Sequence, residues 1–514
     1  MAHVSPAWFL AAVAIATFIV VHHIRSSWRK LPPGPRGLPI IGNLLQLRGK
    51  QWLTFTELGT KYGDLMYFSI AGQPLIVINS LKVAADLLDR AKFSDRPRNI
   101  VASDIMTGGM FVAFAHYGNS WRHMRKAAHE GLNKNIVNQY HPIQIKEAVL
   151  LAADMLAGPD RWLAHVRRTA ASTIMSIVYD RPPTSEQDPS IKRINDFATR
   201  LTRAAMPGAH FVEAFPWMQH IPSKYAKWKR EAEGWYAKDS SMFESLFKSV
   251  KDRVAEGDER PSFAATLAQG ARRHGLTEHE NSWLAGAMYT AGAESSSAAL
   301  SWWMLAMILY PDAQKRAQAE LDKVIGRDRL PTFADHEHLP YVRAMVKETL
   351  RWRPVDPVGL PHRSTEDDIY NGYFIPAGSI LLANVWHINR DPENFGLDAE
   401  HFNPARHLDE AGQLAPGLAG TKEESHVSFG FGRRICVGRH IANNTLFAII
   451  ATLLWAMDIE PATDEKGVPL PLDVDGCVED GVVVRPMPFK VKVTPRFPEA
   501  QAIVEHEREL LGHY

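Results

Sequence analysis

The stretch Phe429-Gly-Phe-Gly-Arg-Arg-Ile-Cys-Val-Gly438 places Cys436, one of 2 cysteines in 514 residues, in a glycine-flanked loop just after two arginines. The apolar run at 441–455 that follows it reads as a buried helix. A lone thiol cannot complete a closed tetrahedral zinc site, which takes four Cys or His ligands. Nor does the loop look like a nucleophile elbow or a papain-type cysteine context. A buried structural cysteine is the plain alternative, but the surroundings suit a thiolate ligand better. Glycines let a backbone approach a flat cofactor closely, and N–H groups at the start of a helix stabilise negative charge on sulfur.

Composition narrows the class. The chain carries 58 Lys+Arg against 57 Asp+Glu, a formal net charge of +1, and no long basic run, so no nucleic acid partner is expected. Cys436 and Cys477 alone cannot form a disulfide framework in so long a chain, which points to a reducing compartment. The length is roughly that of two to three ordinary domains. The stretches richest in Pro and Gly, near 31–42 and in 407–427, do not separate self-sufficient halves, so one large core is expected.

No Asp, Glu, Lys or Arg precedes Arg25, and residues 7–24 are apolar apart from Thr17, His22 and His23. Those 18 residues approach the roughly 20 that a spanning helix needs. Arg25, Arg29 and Lys30 follow at once, which leaves the rest of the chain cytosolic by the positive-inside rule. A cleaved signal peptide is the rival reading, but the charge lies on the wrong side of the apolar run. Residues 1–30 therefore read as a membrane anchor. Residues 31–42, opening with Leu31-Pro-Pro-Gly-Pro-Arg-Gly-Leu-Pro39, read as a stiff, donor-poor hinge, and 43–514 as the catalytic body.

Most of that body has helical texture. Thr277-Glu-His-Glu280 is a capping box that opens a long apolar helix halted at Pro311, and a further helix is expected over 311–326. Leu65–Ile70 and 75–79 read as a hairpin joined through Ala71-Gly-Gln-Pro74. A second hairpin is expected around Ile375-Pro-Ala-Gly378, with 379–384 as its return strand and Asn371-Gly372 as an earlier turn. Phe211, Phe215, Trp217 and Ile221, among Pro207, Pro216 and Pro222, read as an exposed apolar loop that dips into a bilayer.

Three constellations accompany the thiol. Glu348-Thr-Leu-Arg351 lies on an expected helix over 339–352, where i and i+3 share a face. An exposed pair of that spacing contributes little, but Phe402-Asn-Pro-Ala-Arg406 follows. Trp121-Arg-His-Met-Arg125 sets an indole N–H and a guanidinium four residues apart, a pair suited to a carboxylate. A packed Trp and a solvated Arg on a surface helix would look the same. Ala291-Gly-Ala-Glu-Ser-Ser296 breaks the long helix with Gly and hydroxyls, so a bulge or widened turn is expected there. A small-residue packing stripe is the plain alternative.

Taken in chain order from the anchor and hinge to the thiol loop, the motifs resemble those of the cytochrome P450 superfamily, and most of all its fungal microsomal branch. Phe429, Gly432, Arg434, Cys436 and Gly438 match its heme-binding loop. The resemblance implies an α+β, mostly α-helical P450 fold with small β-sheets and an N-terminal transmembrane helix. It implies heme b with Cys436 as the axial thiolate and metal ligand, pushing electron density toward iron. Trp121, Arg125, Arg434 and His362 (in Leu360-Pro-His-Arg363) match propionate-binding positions. Glu348, Arg351 and Arg406 match a buried network that braces the loop, although Ala405 and His407 depart from the usual acid and aromatic. Glu294 and Ser295 match the proton relay. Serine there keeps the usual threonine's hydroxyl without the methyl that restricts its rotamers.

The implied activity is insertion of one oxygen atom from O2, by hydroxylation or epoxidation, into an apolar small molecule of secondary or foreign-compound metabolism. No flavin or dinucleotide-binding stretch is evident, so NADPH-derived electrons are expected from a separate NADPH–cytochrome P450 reductase, with cytochrome b5 as a second donor. The expected location is the endoplasmic reticulum membrane, single-pass. Pocket residues are expected after Arg96, at Ala287, Met288 and Ala291, and at 358–360 and 482–484. Two rival activities exist. A heme-thiolate isomerase needs no reductase electrons, but the acid–hydroxyl pair argues against it. A non-catalytic membrane sterol or heme carrier needs neither that pair nor an axial thiolate.

Overall fold

The computed structural model describes residues 26–47, 49–182, 189–206 and 208–512. The expected anchor at 7–24 lies outside them, as does Pro207. Among the described residues no helix is long and apolar enough to cross a membrane. The helices of eight or more residues begin with α1 (Gln51–Tyr62), α2 (Leu81–Leu88), α3 (Asn119–Leu132), α4 (His141–Ala157), α5 (Trp162–Tyr179) and α6 (Pro189–Ala205). They continue with α7 (Lys227–Ala255), α8 (Phe263–His274), α9 (Glu278–Leu309), α10 (Pro311–Val324), α11 (Pro340–Trp352), α12 (Arg439–Ala456) and α13 (Ala500–Leu510). The helices dominate, as the sequence reading expects.

Helix α9 is the spine. Thr277 and Glu280 cap it reciprocally, and Pro311 stops it by opening α10. Its 32 residues are apolar nearly all round, which suits a helix buried on every side. Its first half packs in one apolar cluster with α3, α5, α6, α7 and α8, its second half in another with α4, α11 and α12. The widened turn expected at 291–296 does not form, because α9 runs unbroken through it. Gly292 serves packing instead: a Cβ there would stand 3.0 Å from Ile174 of α5.

The strands form small sheets. A four-stranded sheet runs β1-β2-β6-β3, built from β1 (Leu65–Ile70), β2 (Gln73–Ile78), β3 (His362–Arg363) and β6 (Ile380–Ala383). The first hairpin is tighter than expected. Ala71 and Gly72, both at positive φ, form a two-residue turn, so Gln73 and Pro74 belong to the strand. Asn371-Gly372 closes the hairpin of β4 (Asp368–Tyr370) and β5 (Tyr373–Ile375). The strand after Gly378 does not return on β5. It leaves as β6 to pair with β2 in parallel and β3 antiparallel, a long-range choice that no local turn signal records. The pairs β7 (Met457–Pro461) with β10 (Val491–Pro495), and β8 (Cys477–Asp480) with β9 (Val483–Pro486), complete the sheets, and β7, β9 and β10 pack on the helical core. The proline-rich segment docks on β1: Tyr67 N–H donates to Pro33 O at 2.9 Å, and a Cβ on Gly34 would collide with Tyr67 O.

Candidate active site

The Cys436 side chain keeps accessible surface. Burial pushes the thiol up, while the Gly438 N–H and the Arg125 and Arg439 guanidiniums act in the opposite direction. Gly438, the N-cap of α12, thus turns a helix start toward the sulfur. The loop is closed by Cys436 N–H donating to Phe429 O at 2.8 Å. Gly432 also packs the loop: at φ +55°, a Cβ there would come within 2.2 Å of Leu88 O at the end of α2.

An ion network centred on Glu348 and Arg351, both fully buried, supports the loop. Arg351 grips Glu348 with two bonds, Nε to Oε2 at 2.7 Å and Nη2 to Oε1 at 2.8 Å. Arg406 Nε donates to Oε1 at 3.1 Å and Asn403 N–H to the same oxygen at 2.7 Å. Burial alone would raise Glu348, but Arg351 and His407 outweigh it and hold the carboxyl at about 2. His407 is the member the motif reading missed. It departs from the usual aromatic and bonds Glu348 Oε2 through Nε2 at 3.0 Å. The network reaches the thiol loop through Asn389. Arg351 donates to Asn389 O at 2.6 Å, and the Asn389 side chain takes Val427 N–H at 2.9 Å and gives to Ser428 Oγ at 2.9 Å.

Beside the loop sits a cluster of arginines, Arg96 and Arg434 buried and Arg125 half-buried. Arg434 donates to Ser94 O at 2.7 Å and Ala115 O at 2.8 Å, and its guanidinium lies 4.1 Å from the Trp121 ring centre. Trp121 Nε1 donates to Val112 O at 3.2 Å, and His362 Nδ1 to Phe93 O at 2.8 Å. Arg125 donates to Ile435 O, next to the cysteine. Trp121 and Arg125 share a helix face as expected, but Trp121 pairs with Arg434 and Arg125 with the loop. Arg96, which no motif announced, bonds Ala113 O at 2.8 Å, Leu360 O at 2.9 Å and Pro361 O at 2.7 Å. An arginine buried within a loop leaves no periodicity to read.

Burial lowers Arg434 to about 9; repulsion from Arg96 adds to the effect and attraction from Asp95 opposes it. Burial, then Arg96, holds His362 down to about 3, so its imidazole is neutral. Among the described residues, neither Arg96, Arg125 nor Arg434 has a carboxylate within 4.0 Å. Buried charge without a counterion is costly. The cluster therefore fits an acidic group supplied by a bound cofactor, such as the propionates of a heme.

On the opposite wall, Val437 and Ile441 pack in the same cluster as Ala287 and Ala293, which brings the thiol loop and α9 together. Ala291 is exposed and Glu294 and Ser295 half-buried, in a helix whose other residues are mostly buried. Ser295 Oγ donates to Ala291 O at 2.8 Å. Of the expected pocket residues, Ala287 is in the core, Met288 and 358–360 are half-buried, and Val484 is buried.

The Cytochrome P450 family model matches residues 32–493. A cytochrome P450 monooxygenase of Armillaria gallica is 88% identical over 514 residues, covering 100% of both chains. One from Amanita muscaria is 41% identical over 549 residues, covering 98% of this chain and 97% of its own. A solved zebrafish cytochrome P450, bound to abiraterone, shares the fold with a TM-score of 0.68 at 24% identity, over 87% of this chain and 100% of its own. Family model, fungal relatives and fold agree: the chain belongs to the cytochrome P450 family and is a monooxygenase of heme-thiolate type, using O2 and reductase electrons.

Proposed function

We propose that Cys436 is the thiolate ligand of heme b, and that the enzyme hydroxylates or epoxidises an apolar small molecule, in secondary or foreign-compound metabolism. The observation that carries this reading is an accessible thiol beside Arg96, Arg125 and Arg434, none of which has a carboxylate within 4.0 Å among the described residues. Heme, when bound, supplies activation of dioxygen. The chain's part is to hold and supply it. Trp121, Arg125, Arg434 and His362, joined by Arg96, hold the propionates. The Glu348 network keeps the thiol loop from moving, with Phe429 and Gly438 shaping it. Glu294 and Ser295 pass protons inward from water, for which Ser295 exchanges its bond to Ala291 O for one to water.

Electrons come from NADPH–cytochrome P450 reductase, with cytochrome b5 as a second donor. The protein is anchored in the endoplasmic reticulum membrane by residues 1–30, and its body lies in the cytosol. The reduced protein with CO should show the strongly red-shifted Soret band of a thiolate heme, and Cys436→His should abolish both that band and turnover. A wild-type CO spectrum of imidazole type would overturn the assignment. NADPH consumption that yields product only with reductase present separates this activity from a rearrangement.

A further inference from the structure

Outside the arginine cluster lies a second set of charged groups. Asp95, itself buried, accepts the Tyr117 N–H on Oδ1 at 2.7 Å, and His116 Nδ1 lies 3.3 Å from the same oxygen. The other imidazole nitrogen, Nε2, is 3.8 Å from Asp104 Oδ1, on the π-helical turn Ile100–Ile105. Arg363 Nη1 approaches Asp95 Oδ2 at 3.9 Å, and Arg98 Nε approaches Asp104 Oδ2 at 3.9 Å. Arg434 also lies in the field of Asp95. His116 therefore joins the start, the middle and the end of the segment 95–117.

Three members of this knot adjoin the arginine cluster along the chain. Asp95 precedes Arg96. His116 follows Ala115, whose carbonyl accepts Arg434 Nη2 at 2.8 Å. Arg363 follows His362, and its N–H donates to Asp95 O at 2.9 Å. A shift of the knot thus displaces the backbone that carries or holds Arg96, Arg434 and His362. The His116 side chain is 41% exposed, so protons reach it from solvent. Its bond to Asp95 raises it above its ordinary 6.5; burial opposes, attraction from Asp95 and Asp104 adds, and Arg363 repels. A neutral imidazole has one N–H and can serve one of the two acids, whereas an imidazolium serves both.

We propose that His116 is a titratable positioning residue, which as imidazolium ties Asp95 to Asp104 and so fixes the arginine cluster that grips the cofactor's acid groups. The proposal rests on the heme reading above and adds a pH dependence to heme retention. Because folding favours the imidazolium, the tie is complete below about pH 6.5 and is lost as pH rises through the raised value.

The test is heme transfer from the holoprotein to excess apomyoglobin, followed optically between about pH 6 and about pH 8.5, which reads retention without turnover. His116→Lys carries a charge that does not titrate in this range, and His116→Gln carries none. The ratio of wild-type to Lys-variant release cancels every other titration. That ratio should be near one at the acid end and rise about two- to fivefold at the alkaline end, the range of a half-exposed ion pair. The Gln variant should release heme faster than the Lys variant by that same factor at every pH, and Asp104→Asn should move the wild-type step to lower pH. A wild-type ratio that stays constant overturns the proposal, since a merely structural histidine changes release equally at every pH. So does a Gln variant that keeps the wild-type step. The CO spectrum of the same samples reports separately on the heme-thiolate reading, so the two can fail independently.

Discussion

The Ser295 hydroxyl already has a partner, the carbonyl of Ala291 one turn back, which satisfies it without a substrate or water. Proton delivery therefore requires a rotamer change, and serine lacks the methyl that would restrict it. Ser295→Ala should uncouple the enzyme: NADPH oxidation continues, product falls by about 10²-fold, the lower end for an acid–base relay, and hydrogen peroxide rises. Ser295→Thr should hold or raise the product-to-NADPH ratio. An unchanged ratio in the Ala variant would assign the relay elsewhere. His407 behaves differently, as a neutral imidazole whose proton bonds a carboxylate. Burial lowers it from its ordinary 6.5, with Glu348 opposing. The unfolded chain binds that proton more readily than the folded one, so stability is lost as pH falls below about 6.5. His407→Phe, which restores the common aromatic, should destabilise the fold by about 1–3 kcal/mol at neutral pH, since one bond to buried Glu348 disappears. It should also flatten the loss between pH 6.5 and 5, read as heme retention and thermal midpoint.

At the scale of elements, contacts between distant segments matter more than any one helix. The short helix Phe211–Ala214 carries Glu213, whose carboxylate accepts Ile100 N–H at 2.9 Å and Val101 N–H at 3.0 Å. Those are the first N–H groups of the π-helical turn Ile100–Ile105, which helix geometry leaves unpaired. Arg98 adds a bond to Gln219 at 2.8 Å. Together they tie the segment after Arg96 to the apolar loop over it. Glu213→Ala should loosen this tie by about 1–3 kcal/mol. Azole binding followed by stopped flow should then show a several-fold faster association with little change in final affinity. An unchanged association rate would mean that this contact does not control entry. Helix ends such as Thr277 and Pro311 were legible because capping chemistry is local. The partner of β6 was not, because strand pairing joins residues about 300 apart.

At the scale of the whole molecule, large exposed aromatic side chains gather on the segment 211–217. Phe211, Phe215 and Trp217 are 79%, 52% and 66% exposed, while Ile221, expected to be exposed with them, is half-buried. We predict that removing residues 1–30 leaves residual membrane binding that resists high salt, since apolar insertion is not screened as charge is. Phe211→Glu with Trp217→Glu should release the truncated protein into the soluble fraction. A truncated protein that is soluble with its aromatic residues intact would refute the insertion.

Sequence alone determined what is local or carried by short motifs. Cys436 in its glycine loop, the capped helix α9, the Glu348 and Arg351 pair and the apolar N-terminal run all announce themselves within about one or two helical turns. Tertiary structure alone decided what depends on distant segments meeting. It put Arg96 and Arg434 into one cation cluster, drew His407 into the Glu348 network and sent β6 to β2. It also kept α9 regular where its composition suggested a bulge. Burial and long-range charge produce those outcomes, and neither leaves a periodic mark in the chain.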